Sequence, residues 1–145
     1  MSFSLIDSSL APTHLSLLKQ WFEEEWGEVD HSVSIIDGEP IPSPILALET
    51  EGALAGGMAF TLAETTATDG LELWINAVLV APIHRGKGLA TRLITAAEEK
   101  ARNQGVLRLF VYTDVPALYS KLGWTAVETT ATHVVLSRIR PRPDS

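Results

Sequence analysis

The chain has 145 residues, a net charge of −7, 46% hydrophobic residues and no cysteine. That length suits a single domain, residues 1–145, with enough chain to bury a core. The absence of cysteine excludes disulfides, thiolate metal sites and thiol nucleophiles, and the hydrophobic share excludes a disordered chain.

Near the N-terminus "SFSLID" alternates over a short run and reads as an edge strand. From Pro12 to Trp26, the residues Leu15, Leu18, Phe22 and Trp26 recur at helical spacing, and Gly27 is a reasonable stop. Residues 28–44 read mainly as loop, with at most a short helix, because the three prolines of "DGEPIPSP" remove donors and fix φ. "ILALET" and "ALAGGMAFTLAE" make a hairpin that turns at Glu51-Gly52, with Gly56 and Gly57 marking a bulge or a close approach. Asp69-Gly70 is another turn. "LELWINAVLV", Leu71 to Val80, has too little polarity for an exposed face and belongs in the middle of the sheet.

A helix is expected over residues 87–103, with Leu89, Ala90, Leu93, Ile94, Ala97 and Ala101 on one face and Gly105 just past its end. "VLRLFVY" is a strand. "VPALYSKLG" is a short helix with proline at its start and Gly123 at its end. "WTAVE" and "HVVLSRI" form a final antiparallel pair, and "RPRPDS" is a frayed basic tail within residues 136–145. The order is mixed α/β, with a strand–loop–helix–strand unit at its centre.

No apolar run reaches the roughly 20 residues of a membrane helix, and "MSFSLIDSS" lacks the basic and apolar regions of a secretory leader. The expected setting is cytoplasmic, away from membranes. Charge is unevenly spread. Before Ala81 one basic residue, Lys19, stands against thirteen acids; from Ala81 onward ten basic residues stand against five acids. Two oppositely charged partners would account for this, and so would two halves that fold together and intermix. Nucleic acid is not an expected partner, because the basic residues are few and no aromatic residues interleave with them.

The stretch "VLVAPIHRGKGLATRLI" carries the clearest chemistry. A strand, a glycine-containing loop and a helix make an anion site, because the first helical amides lack internal partners and the positive end of the dipole lies behind them. Gly86 and Gly88 let the backbone come close, and Arg85 and Lys87 add charge. A Walker A loop needs Ser or Thr after its lysine, where this chain has Gly88. A dinucleotide fingerprint needs a third glycine, where this chain has Thr91.

Arg-x-x-Gly-x-Ala, Arg85 to Ala90, following "VLVAP", resembles the acyl-CoA-binding motif of the Gcn5-related N-acetyltransferase (GNAT) superfamily. "ALYSKLGW" is similar to that family's Tyr-x-x-x-Gly-aromatic segment, and "WFEEEWG" followed by a proline-containing loop is similar to the start of some bacterial members. The resemblance implies an α/β acyl-CoA N-acyltransferase fold, with a central mixed, largely antiparallel sheet flanked by helices. It implies acetyl-CoA as donor, no metal, and a small-molecule or peptide amine as acceptor, with a homodimer left open. The loop would hold the cofactor through Arg85, Gly86, Lys87, Gly88, Leu89, Ala90 and Thr91. The backbone of Val78, Leu79 and Val80 would hold the pantetheine arm, with the Val78 amide as oxyanion donor.

By the same resemblance Tyr119 is the general acid at the thioester sulfur. No base is evident: the strand positions that carry Glu or His in some members hold Trp74 and Asn76 here. Asn76 would orient a water, and Glu72, on the same face by alternation, would finish the relay. His31 and Asp114 are further candidates, His84 reads as a surface residue, and the amine could also arrive deprotonated. Glu23, Glu24 and Glu25 end the first helix, where carboxylates face the negative end of the dipole; one or two of them could line an acceptor mouth for a cation, walled by Trp21 and Trp26. The expected activity is transfer of acetyl to a cationic primary amine by direct attack in a ternary complex. The alternative is a non-catalytic acyl-CoA-binding regulatory module, against which the retained Tyr119 argues.

Overall fold

A computed structural model describes residues 2–26, 41–64, 70–106, 108–131 and 133–139. The loop expected before residue 41, the stop at Gly27, Asp69, His31 and the basic tail lie outside the described residues.

Seven strands form one sheet in the order β1-β2-β3-β4-β5-β7-β6. They are β1 (Phe3–Asp7), β2 (Ile45–Glu49), β3 (Leu54–Glu64), β4 (Leu71–Val80), β5 (Arg108–Thr113), β6 (Thr125–Thr129) and β7 (Val134–Ile139). Every pairing is antiparallel except β4 with β5. The helices are α1 (Pro12–Trp26), α2 (Leu89–Asn103) and α3 (Pro116–Ser120). β1 is an edge strand and β4 is central, as the alternation of the one and the apolar run of the other imply.

The helices divide between the two faces. Leu18 and Phe22 of α1 pack on Leu46, Leu54 and Leu79. On the other face Leu89, Leu93, Ile94, Ala97 and Ala101 of α2, with Tyr119 of α3, pack on Leu73, Ile75, Val80, Leu109, Val111 and Leu136. Each fully buried aliphatic side chain contributes about 1.5–3 kcal/mol. Gly57 lies directly under the Leu18 side chain, and a Cβ on Gly56 would stand 2.6 Å from the Leu79 carbonyl oxygen. The two glycines are therefore places of close approach, and the bulge beside them falls at Ala55, which the register Ala47↔Gly56, Leu48↔Leu54 skips.

A second bulge shapes the middle of the sheet. The β3–β4 register passes from Phe60↔Ile75 to Ala59↔Ala77, leaving Asn76 as the extra residue. Before it Leu73 and Ile75 face α2; after it Val78 and Val80 do, while Ala77 and Leu79 turn to α1. The parallel ladder also ends there: β4 and β5 pair at Leu73↔Leu109, Trp74↔Phe110 and Ile75↔Val111 and no further.

α2 begins at Leu89, two residues later than the periodicity implies, because Gly86 and Gly88 take φ of 79° and 78°. It ends as the sequence suggests: Gly105 has φ 85°, its amide donates to Arg102 O at 3.0 Å, and the Val106 amide donates to Ala101 O at 2.9 Å.

Ion pairs among the described residues join the acidic first half to the basic second half, so at these points the charges intermix. One is Arg108 with Glu72. Another is Lys100 of α2, whose Nζ lies 2.7 Å from Asp7 Oδ2 and donates to Ser43 O at 2.8 Å. The Lys100 ammonium and the Ser9 amide hold the Asp7 carboxyl well below its ordinary 3.8. A depressed carboxyl stabilises the fold above its unfolded value, and that contribution is lost as pH falls through its folded value. Asp7→Asn should therefore lower the thermal midpoint at neutral pH, and the gap to the parent chain should close as pH falls below about 4. A gap independent of pH would remove this pair from the stability account.

Candidate active site

Where β4 and β5 part, a cleft of about 810 Å³ opens. Phe22, Glu25 and Trp26 line it from the α1 face, and Leu89, Leu118 and Tyr119 from the α2/α3 face. It therefore runs through the sheet from one face to the other. Asn76, Val78, Leu79 and Val80 form its β4 wall.

At one end lies the glycine loop. Arg85, Gly86, Gly88, Leu89, Ala90 and Thr91 all line the cleft, whereas Lys87 is exposed and outside the lining. No side chain caps the start of α2, so the amides of its first turn are left for an external acceptor. Arg85 folds back and its Nε donates to Val80 O at 3.0 Å, covering the last carbonyl of β4. His84, expected at the surface, is instead 2% exposed. The 3₁₀ turn Pro82–His84 carries its ring inward against Phe3, and Nε2 lies 2.7 Å from Glu49 Oε2. The loop is thereby tied to β2.

Tyr119 is 4% exposed, and burial pushes its phenol up to about 12. A phenol so raised keeps its proton at neutral pH and can donate a hydrogen bond. Its placement depends on the turn after α3. The Tyr119 carbonyl accepts from Leu122 N at 2.9 Å and Trp124 N at 3.2 Å, which sets the Trp124 ring edge-on to the Tyr119 ring with centroids 5.2 Å apart. Gly123 turns the chain at φ 95°, and a Cβ there would overlap the Arg138 guanidinium. Arg138 Nε in turn lies 3.4 Å from Oε1 of the buried Glu98 on α2.

The other expected residues separate. Asn76 is exposed and lines the cleft at the bulge. Glu72 is outside the lining and accepts both Arg108 Nη2 at 2.8 Å and Nε at 3.2 Å. The alternation that would align Glu72 with Asn76 is broken by the bulge between them. The Trp74 ring packs tilted against Phe110, with centroids 5.2 Å apart at 33°, and its Nε1 donates to Ala63 O at 3.1 Å. Of the three α1 carboxylates only Glu25 lines the cleft; Glu24 and Glu25 border a second hollow of about 200 Å³ with Trp21 and Arg85. Trp26 stands 51% exposed at the cleft. Asp114, Tyr112 and His133 also line the cleft, as does His84. Among the described residues no group of three or more His, Asp or Glu could hold a metal, and no helix is long and apolar enough to cross a membrane.

A model of the acetyltransferase (GNAT) family matches residues 12–124, and the chain belongs to that family of acetyltransferases. Among solved structures, Arabidopsis thaliana NAA60 in complex with a bisubstrate analogue has a TM-score of 0.73 at 15% identity, over 97% of this chain and 99% of that one. Arabidopsis thaliana Naa50, in complex with the bisubstrate analogue CoA-Ac-MVNAL, has a TM-score of 0.68 at 17% identity, over 95% and 99%. N-acetylglutamate synthase from Neisseria gonorrhoeae, complexed with coenzyme A and N-acetyl-glutamate, has a TM-score of 0.66 at 20% identity; it covers 98% of this chain, which spans only 36% of the synthase. No curated protein matches the chain.

Gly123→Ala should lower stability by about 1–3 kcal/mol, since a positive φ and a filled space both oppose the new Cβ. Urea unfolding checks this. An unchanged midpoint would mean that Arg138 and the turn relax freely.

Proposed function

We propose that the chain binds acetyl-CoA in the cleft and transfers its acetyl group to a cationic primary amine in a ternary complex. The observation that carries this reading is the meeting of three features in one cleft: an uncapped helix start behind Gly86 and Gly88, strands that part beyond Ile75↔Val111, and the buried Tyr119. The amides of residues 86–91 would take the pyrophosphate, with Arg85 beside them. The parted backbone of Val78, Leu79 and Val80 would take the pantetheine arm, and a strand amide there would stabilise the oxyanion.

Tyr119 would face the sulfur. Full transfer from a phenol near 12 to a thiolate of ordinary pKa, about 8.5, is uphill by roughly 3–4 units. Its role is therefore a hydrogen bond to the sulfur as charge develops, with the proton completed from solvent. Glu25 and Asp114, together with the face of Trp26, favour a positively charged acceptor. Without cysteine the chain cannot form a thioester acyl-enzyme, which supports direct attack.

Tyr119→Phe should lower kcat by about 10²-fold while leaving KM for acetyl-CoA nearly unchanged. Thiol release from acetyl-CoA with a panel of amines measures both. An unchanged kcat would take Tyr119 out of the chemistry.

A further inference from the structure

An acceptor that arrives as an ammonium must lose a proton before it attacks, and the strand positions beside the reacting centre offer no group to take it. Trp74 carries no basic nitrogen and spends its indole donor on Ala63 O. Asn76 is not a base. Glu72 is held by Arg108 outside the cleft. His84 is buried at the opposite end, under the loop, with Nε2 on Glu49.

The two faces of the sheet assign the remaining groups. Val134 and Leu136 of β7, and Leu109 and Val111 of β5, belong to the core under α2 and α3. Alternation therefore turns Tyr112 and His133 to the α1 face, and both line the cleft. Their rings stack with centroids 4.5 Å apart at 15°. The His133 backbone is pinned by the hairpin: its amide donates to Thr130 Oγ1 at 3.1 Å, and its carbonyl accepts from Thr130 N at 2.8 Å. Tyr119 sits across the sheet, in the α2/α3 core. The cleft thus has one buried proton donor on one face and one stacked imidazole on the other.

We infer that His133 is the general base of the reaction, a proposal that rests on the acetyltransferase reading above. The acceptor approaches from the α1 face, where Glu25 and Trp26 stand. His133 takes one proton from its ammonium, directly or through solvent, leaving a neutral amine. The amine nitrogen attacks the thioester carbonyl; an N–C bond forms and the C–S bond breaks. The sulfur leaves as thiolate, hydrogen-bonded by Tyr119, and takes one proton from solvent. The nitrogen loses its surplus proton to solvent, and His133 returns its own, so one proton is released per turnover. The stack with Tyr112 orients the ring, and the Thr130 turn holds the backbone that carries it. The titratable and charged groups sharing this space are Glu25 of α1, His84 and Arg85 of the loop, Tyr112 of β5, Asp114 just after it, and Tyr119 of α3. From the paired strand β6, Glu128 stands opposite Val135.

The test is the pH profile of kcat/KM for His133→Gln and His133→Ala, with a cationic amine chosen by thiol release. The expected result is a loss of about 10²-fold or more, disappearance of the acid-side limb, an unchanged KM for acetyl-CoA, and partial recovery of His133→Ala by added imidazole. A retained limb with unchanged kcat overturns the proposal. So does a loss confined to KM for the amine, which would make His133 a binding contact only. A parent chain that binds acetyl-CoA yet releases no thiol with any amine overturns the transfer reading and His133 with it.

Discussion

The end of the β4–β5 ladder at Ile75↔Val111 is the constraint on which the site depends. Parallel strands that stay paired leave no room between them. The extra residue Asn76 bends β4 and keeps it paired to β3 as far as Gly56↔Val80, so β4 leaves β5 instead of β3. Gly56 and Gly57 permit that closeness on the β3 side, where a Cβ would meet the Leu79 carbonyl or the Leu18 side chain. One bulge therefore opens the cleft, switches which β4 side chains face which helix, and sends the strand end toward the start of α2.

Around this opening the chain fixes each wall to a different part of the core. The glycine loop is anchored through buried His84 to Glu49 of β2. α2 is held at its other end by Lys100 to Asp7 and Ser43. Tyr119 is held by a turn whose glycine lies beneath Arg138, itself against Glu98 of α2. Polar contacts of this kind contribute little net stability, and their better-attested use is to specify geometry. Each of these contacts ends at an element that lines the cleft.

Most of the fold was legible in the sequence because its signals are local: helical spacing in α1 and α2, the glycine after α2, the apolar run of β4, and the turns at Gly52 and Gly123. The loop was legible for the same reason, its glycines being contiguous with the helix they open. Three features were not. The bulge at Asn76 arises from register with β3, so simple alternation aligned Glu72, Trp74 and Asn76 on one face. His84 read as a surface residue because nothing in "APIHRG" shows that Glu49, 35 positions earlier, lies beside it. His133 reaches the cleft only through pairing of β7 with β5, and its one sequence signal is its place at the head of an alternating strand. The α1 side of the cleft is lined by Glu25, Trp26, Tyr112, Asp114 and His133, which meet only in the folded chain.

The most direct measurement is thermal unfolding with and without a large excess of acetyl-CoA, with ATP and NAD as controls. A ligand at about 100 times its Kd adds about 2.7 kcal/mol, which raises the midpoint of a domain of this size by several degrees. A cleft that holds acyl-CoA gives that shift with acetyl-CoA and none of that size with ATP or NAD. No shift with saturating acetyl-CoA, or an equal shift with all three, would contradict the central claim that this cleft is built for an acyl-CoA.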